Sequence, residues 1–254
     1  MPTLAQSLGV SLGADGMPGI DKRDASYAAL LSASGLLRPR GQARSAPRIP
    51  LLQFVQQAWS VIDPAPYVHG WHIEALCAHL EAVAERRIRN LLINIPPRSS
   101  KSVTCAVLFP AWVWSWWPSC KMIFASYSGA LSMRDSVKTR DLLRSNWYQS
   151  TFHPQWRLKR DQDTKSKFEN TAQGFRMATS VGALATGEGA DILVGDDLHS
   201  VSEDLSATRA DLETACAFWQ VVMPSRVTNP KEACRIVVGQ RVAEDDISGK
   251  LLAQ

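Results

Sequence analysis

The sequence has no uninterrupted apolar run long enough to cross a membrane. Its greasiest stretch, residues 103–117, is broken by Thr104, Pro110 and Ser115 and falls short of the roughly 20 residues that a span requires. The first thirty residues lack a basic start followed by an apolar core, so nothing there reads as a secretory signal. Cysteine is sparse and unpatterned. Cys77, Cys105, Cys120, Cys216 and Cys234 are odd in number and form no CxxC pair. That argues against a disulfide framework or a zinc site and for buried free thiols in a reducing cytosol. Neither charge sign dominates: the net charge is +4. Its distribution is uneven, however. Residues 134–184 carry ten Lys/Arg against five Asp/Glu, and residues 185–254 carry six against twelve. A basic middle can face a polyanion, although a solvated surface is the plainer reading.

What remains is an ordinary globular composition, 45% hydrophobic and 20% charged. At 254 residues the chain has room for one large α/β domain, or for a domain plus an arm. Residues 1–47 are rich in Gly, Ser, Ala and Arg, and LRPRGQARSAP (37–47) reads as a basic linker. This segment is expected to be a poorly ordered or partner-binding N-terminal arm, with the folded domain covering 48–254. Ile73, Leu76, Cys77, Leu80, Val83 and Ala84 recur at helical spacing and predict a helix over 72–88.

Beyond it, short apolar runs alternate with helical patterns. Strands are expected at 91–95, 121–125, 174–179, 192–195 and 235–238, and helices at 101–114, 131–144 and 207–223. This alternation predicts an α/β fold, a mainly parallel β-sheet flanked by helices on both faces. Trp112, Trp114, Trp116 and Trp117 fall at the end of a helix, where core and rim packing outweighs base stacking. The Glu244–Asp246 run reads as the charged start of a helix that ends the domain.

The stretch NIPPRSSKS (94–102) follows the apolar run 91–93. A phosphate-binding loop needs backbone N–H groups converging on an anion at a helix start, a lysine for the outer phosphates and a hydroxyl for Mg²⁺. Lys101 and Ser102 fit the last two roles. The loop has no glycine, and Pro96 and Pro97 have no N–H to donate. The donors must therefore come from Ser99, Ser100, Lys101, Ser102 and Val103. Ser100 stands where glycine is usual. If that position is left-handed, serine costs on the order of 1 kcal/mol there. A proline-rich turn with a helix-capping serine would look similar, so the loop alone decides nothing.

A second segment shifts the balance. In ADILVGDD (190–197) a greasy strand ends in two acids. Nucleotide hydrolysis needs one carboxylate in the Mg²⁺ shell and another to orient or deprotonate water. Neighbouring side chains of a strand point to opposite faces. Asp196 is thus expected towards Mg²⁺ and Asp197 towards the water.

Six segments in order, GWHIEALCAHLEAV (70–83), LLINIPPRSSKS (91–102), FPAWVW (109–114), FASYS (124–128), ATGEGADILVGDD (185–197) and VVGQRVAEDDISGKLL (237–252), resemble the large terminase subunit of tailed bacteriophages. This is the motor that packages DNA into a procapsid. The resemblance covers roughly residues 65–254. It implies a P-loop NTPase of the additional-strand catalytic-acid type, a Mg-dependent ATPase with ATP and Mg²⁺ as cofactors. It implies a Walker A loop containing Pro97, Arg98, Ser99, Ser100, Lys101 and Ser102, a Walker B pair Asp196 and Asp197, and a coupling segment 239–241 in which Gln240 senses the γ-phosphate. Trp71 would lie against the base. Double-stranded DNA, a portal protein and a small terminase subunit are the implied partners of a homo-oligomeric ring in the host cytoplasm.

Two departures from the family stand out. The nuclease domain that follows the ATPase in large terminases is absent from this chain, so no DNA cleavage is expected of it. In the loop before Walker B, Glu188 occupies the place where some relatives carry a trans-acting arginine; a trans arginine would have to come from elsewhere, with Arg140 and Arg144, or Arg98 in cis, as the candidates. Two other classes stay open: a helicase-like DNA-dependent ATPase, and a non-catalytic assembly module whose loop binds nothing.

Overall fold

The computed structural model describes residues 48–183, 187–200 and 208–253. The expected arm over residues 1–47 lies outside the described residues, as does Thr186 of the loop before Asp196. A seven-stranded sheet organises the domain: β1 (Asn90–Asn94), β2 (Met122–Ser126), β3 (Leu158–Asp163), β4 (Lys167–Asn170), β5 (Phe175–Ser180), β6 (Ile192–Asp196) and β7 (Cys234–Gly239). The strand order is β1-β7-β6-β2-β5-β4-β3. The first five in that order are parallel, and β4 and β3 add antiparallel at one edge. The fold is therefore α/β and mostly parallel, with an antiparallel hairpin that apolar periodicity does not announce. β3 reads LKRDQD and contributes little to the core, as suits a charged edge strand.

The central strands are buried on both faces, so they read as continuous apolar runs rather than alternating ones. Alternate residues still divide between two cores. Met122, Phe124, Ile192, Val194, Ile236 and Val238 pack on one face, and Ile123, Ala125, Leu193 and Val237 on the other.

The first face is covered by α1 (Leu51–Ile62), α2 (Trp71–Ala84), α3 (Phe109–Trp116), α4 (Gly129–Arg144) and α5 (Asn146–Phe152). α1 was not anticipated, although Leu51, Phe54, Val55, Ala58 and Trp59 form a buried helical stripe. The second face is covered by α6 (Arg209–Ala217), a π turn over Phe218–Val222, a 3₁₀ turn over Met223–Arg226 and the short α7 (Ile247–Leu252). The helix expected over 207–223 is thus α-helical only to Ala217. Asp246 caps α7 by accepting from Gly249 N at 2.9 Å, in keeping with the acidic helix start.

The helix expected over 101–114 departs from α geometry in its middle. Val103–Leu108 is a π turn that runs into α3. The carbonyls there are drawn outward by side chains from elsewhere. Thr139 Oγ1 lies 3.2 Å from Ala106 O and 3.3 Å from Val107 O. The wholly buried Arg176 donates through Nη2 to Ala106 O at 3.0 Å. Such insertions into a helix ladder are what widen it. The tryptophans pack as their position implies: Trp112 and Trp114 are buried, and Trp116 lies edge-on to Trp112 at 5.4 Å.

Candidate active site

The parallel strands all end at the same edge, where open α/β sheets place their ligands. β1 leads there into the 95–102 loop. Ile95 N donates to Gly239 O at 3.0 Å, which carries the β1–β7 pairing one residue past the strand. The Ser99 hydroxyl donates back to Pro96 O at 2.7 Å and closes the turn. Ser100 has φ +61°, so the left-handed conformation conditionally expected there is present. Arg98, with φ +60°, was not anticipated. Positive φ at Arg98 and Ser100 is the kind of backbone from which anion nests are built. Thr104 N donates to Ser100 O at 2.9 Å and opens the helix. Lys101, only 6% exposed, lies at its start.

β6 brings the two acids to this loop. Asp196 is buried, and the nearby Ser102 hydroxyl favours its charged form. Its Oδ1 has no hydrogen-bond partner among the described residues. Burial, and then the charge of Asp197, push the Asp196 carboxyl up to about 7, against the opposing effects of Ser102 and Lys101. Asp197 holds φ +45°. Its N–H donates to Val238 O at 2.9 Å, and its carbonyl accepts from Tyr127 N at 3.0 Å. Its Oδ2 lies 2.8 Å from Lys101 Nζ.

Simple strand alternation would send the two carboxylates to opposite faces. Both instead meet the 101–102 pair, because the left-handed turn at Asp197 takes that residue out of the strand. Only a short side chain with polar atoms holds such a φ at modest cost. Gly239 sits behind it: a Cβ there would come 3.2 Å from Asp197 Oδ1. Gln240 borders a small cavity together with Asp197, His199 and Ser248. Ser248 donates to Asn94 Oδ1 at 2.7 Å, which ties α7 to the end of β1.

On the outer side of the loop opens a cavity of roughly 680 Å³, lined by Trp71, His79, Leu91, Ile93, Pro97 and Arg98 among others. Its walls are largely apolar with a few polar groups at the rim, and its size suits a small-molecule site. Trp71 is 66% exposed and is not a core tryptophan.

Arg140 and Arg144 are placed elsewhere. Both bind Asp163 on β3, Arg140 at 3.0 Å. Glu188 pairs with Lys167. Asp135 and Arg134, near the start of α4, carry charge close to the acids and were not anticipated. An arginine in an amphipathic helix carries no sequence signal that separates it from a solvated surface residue.

The orphaned Asp196 Oδ1 beside the Ser102 hydroxyl is a hard oxygen pair of the kind Mg²⁺ takes, and Mg²⁺ needs few protein ligands because it keeps waters and substrate phosphates in its shell. Among the described residues no group of three or more His, Cys, Asp or Glu is arranged to hold a metal, so a dedicated all-protein cage is not what the acids form. No described helix is long and apolar enough to cross a membrane.

No protein-family model matches the sequence, and neither does any curated protein. Among solved structures, the large terminase ATPase domain of Thermus phage P74-26 aligns with a TM-score of 0.39 and 11% identity, over 60% of this chain and 60% of that one. A likeness that loose leaves the fold to be judged by its own strand order and the site by its own geometry.

Proposed function

We propose that the chain is a Mg-dependent P-loop ATPase, the motor domain of a phage terminase large subunit that drives double-stranded DNA into a procapsid. One observation carries the hydrolytic part: Lys101 of the glycine-free loop lies 2.8 Å from Asp197 at the end of a strand ninety-six residues later. A proline-rich turn with a capping serine gives no reason for a buried lysine to meet that acid. The strand order supports the additional-strand type, since β7 is inserted between the loop strand β1 and the acid strand β6. The packaging role, with its portal, small-subunit and ring partners, rests on the order of the six sequence segments.

In this reading the N–H groups from Ser99 to Val103 hold the phosphates. Lys101 exchanges Asp197 for the outer phosphates, which frees that carboxylate to orient and deprotonate the attacking water. Ser102 and Asp196 would hold Mg²⁺, whose contribution is to neutralise charge on the phosphate oxygens. Gln240, beside Asp197, senses the change at the terminal phosphate and passes it to segment 239–241. Trp71 and the apolar cavity take the base.

The test is ATP turnover and Mg-ATP binding by wild type, Lys101→Ala and Asp197→Asn. Lys101→Ala loses binding and Asp197→Asn keeps binding but loses turnover. Unchanged turnover in both variants would remove the assignment. Absence of wild-type binding at millimolar Mg-ATP would favour an assembly module, and strand separation in an unwinding assay a helicase.

A further inference from the structure

We propose that Arg134 is the cation that meets the terminal phosphate of the nucleotide from within the same subunit; this rests on the ATP-site reading above. The segment that carries Arg134 is tied to the acids. Tyr127, just past the end of β2, donates its N–H to the Asp197 carbonyl at 3.0 Å. α4 begins two residues later, at Gly129. Its first turn is pinned to β2 by the Ser132 hydroxyl, which donates to Phe124 O at 3.1 Å. The start of α4 therefore stands at the strand edge where Asp196 and Asp197 emerge.

Arg134 is held there in a way that leaves part of its guanidinium available. Its Nε and Nη2 both lie 2.9 Å from Asp135 Oδ1. The Asp135 side chain is only 7% exposed, whereas that of Arg134 is 54% exposed. One edge of the planar group is anchored on a buried carboxylate and the other is open to solvent. This is the arrangement that pre-organises an arginine for an anion. The Asp135 hydrogen bond raises the Arg134 pKa against the opposing effect of burial, and the charges of Asp135, Asp196 and Tyr127 add to it. The helix start that carries Arg134 stands at the strand edge where Asp196 emerges, and the charge of Asp196 is among those that act on it.

The other cations nearby are committed or differently placed. Lys101 already has its role at the phosphates in the reading above, Arg140 and Arg144 are paired with Asp163, and Arg98 lines the outer cavity beside Trp71. On this assignment Arg134 meets the terminal phosphate of a triphosphate, and a diphosphate has no group to offer it.

The experiment compares affinity for Mg-ADP and for a non-hydrolysable ATP analogue with Mg²⁺, by calorimetry on the full chain. The proteins are wild type, Arg134→Ala, Arg134→Gln, Arg134→Lys and Lys101→Ala. Removing a charged hydrogen bond of this kind weakens the triphosphate analogue by about tenfold or more. Mg-ADP affinity stays within about twofold, and Arg134→Lys recovers part of the loss. The glutamine variant keeps a polar side chain without the charge, so it reports on charge should the alanine variant fold poorly. Equal losses for both nucleotides, or no loss for either, overturn the assignment of Arg134. Failure of wild type to bind either nucleotide, or no effect of Lys101→Ala, instead overturns the phosphate-site reading.

Discussion

The packed face of the sheet and its C-terminal edge follow opposite rules. Under α1 to α5 the aromatic and aliphatic side chains are buried against one another: Trp114 lies edge-on to Trp156 at 5.5 Å and to Phe168 at 5.7 Å, and its indole N–H finds Cys120 O at 2.9 Å. At the strand ends, within a few residues of one another in space, stand three non-glycine residues with positive φ, Arg98, Ser100 and Asp197. Beside them are a buried carboxylate with an unpartnered oxygen and a π turn in place of a regular helix. One region puts its sequence into stability. The other keeps strain that the rest of the fold must over-determine, which is how functional sites differ from cores. Substitutions in the two regions should therefore separate stability from activity.

The largest effect on stability belongs to the packed face. Trp114→Ala removes a fully buried ring and leaves its aromatic neighbours around a cavity, a loss of about 3–5 kcal/mol. Urea unfolding monitored by circular dichroism measures it. A loss under about 1 kcal/mol would mean that this face is not the core. Mg-ATP affinity of the remaining folded protein should be unchanged, because the partners of Trp114 named above, Trp156, Phe168 and Cys120, belong to the packed face and not to the loop or acids.

Asp197→Asn is the mirror case. The side chain keeps its size and its place against Gly239 but loses its charge and its basicity. Turnover should fall about 10²-fold or more, while the unfolding midpoint moves little. A large drop in stability with turnover intact would reverse the roles assigned to the two regions.

Asp196 gives the comparison a pH dependence. Its folded carboxyl is pushed up to about 7, first by burial and then by Asp197, above the usual range of an unfolded Asp near 3.9. Between these values the folded state binds more protons than the unfolded one. Stability of the nucleotide-free protein therefore falls from this group as pH rises through that window. Cation binding needs the ionised form, so Mg-nucleotide affinity should rise through pH 6 to 8 and level off above. Asp196→Asn should abolish the rise and, at pH 8, stabilise the nucleotide-free fold by on the order of 1–3 kcal/mol. Titrations at pH 6, 7 and 8 with thermal unfolding alongside decide it; a pH-independent wild type would show that the carboxyl is ionised throughout.

The same contrast explains what was legible in the sequence. The buried strands ILVGD and MIFA and the helix at Trp71–Ala84 declare themselves through apolar runs and periodicity, because each spends its side chains on one core. The hairpin of β3 and β4 does not. Its charged edge residues alternate weakly, and its place is decided by pairing with β5. The π turn is equally silent, since its cause is Thr139 and Arg176, 33 and 70 residues from the carbonyl they engage. In the candidate site, residue types singled out Lys101, Ser102, Asp196 and Asp197, which the fold brings together. Backbone conformation at Arg98 and Asp197 was out of reach, for neither is a residue that advertises a left-handed turn as glycine does.

Ser100 yields the smallest and most exacting test. Its φ of +61° costs an L-residue roughly 1–2 kcal/mol. Glycine would remove that cost, while its greater freedom in the unfolded chain takes back about 0.5–1 kcal/mol. Ser100→Gly should therefore be neutral to stabilising by up to about 1 kcal/mol, a rise of a few degrees at most in the melting temperature. The Ser100 carbonyl still accepts from Thr104 N, and the backbone donors around it are unchanged, so Mg-ATP affinity should move less than about threefold. Ser100→Ala keeps the Cβ and the strain and should gain nothing. If Ser100→Gly instead lost 1 kcal/mol or more, or weakened binding tenfold, the stiffness of this glycine-free loop would be part of how it holds phosphate rather than a cost the fold tolerates.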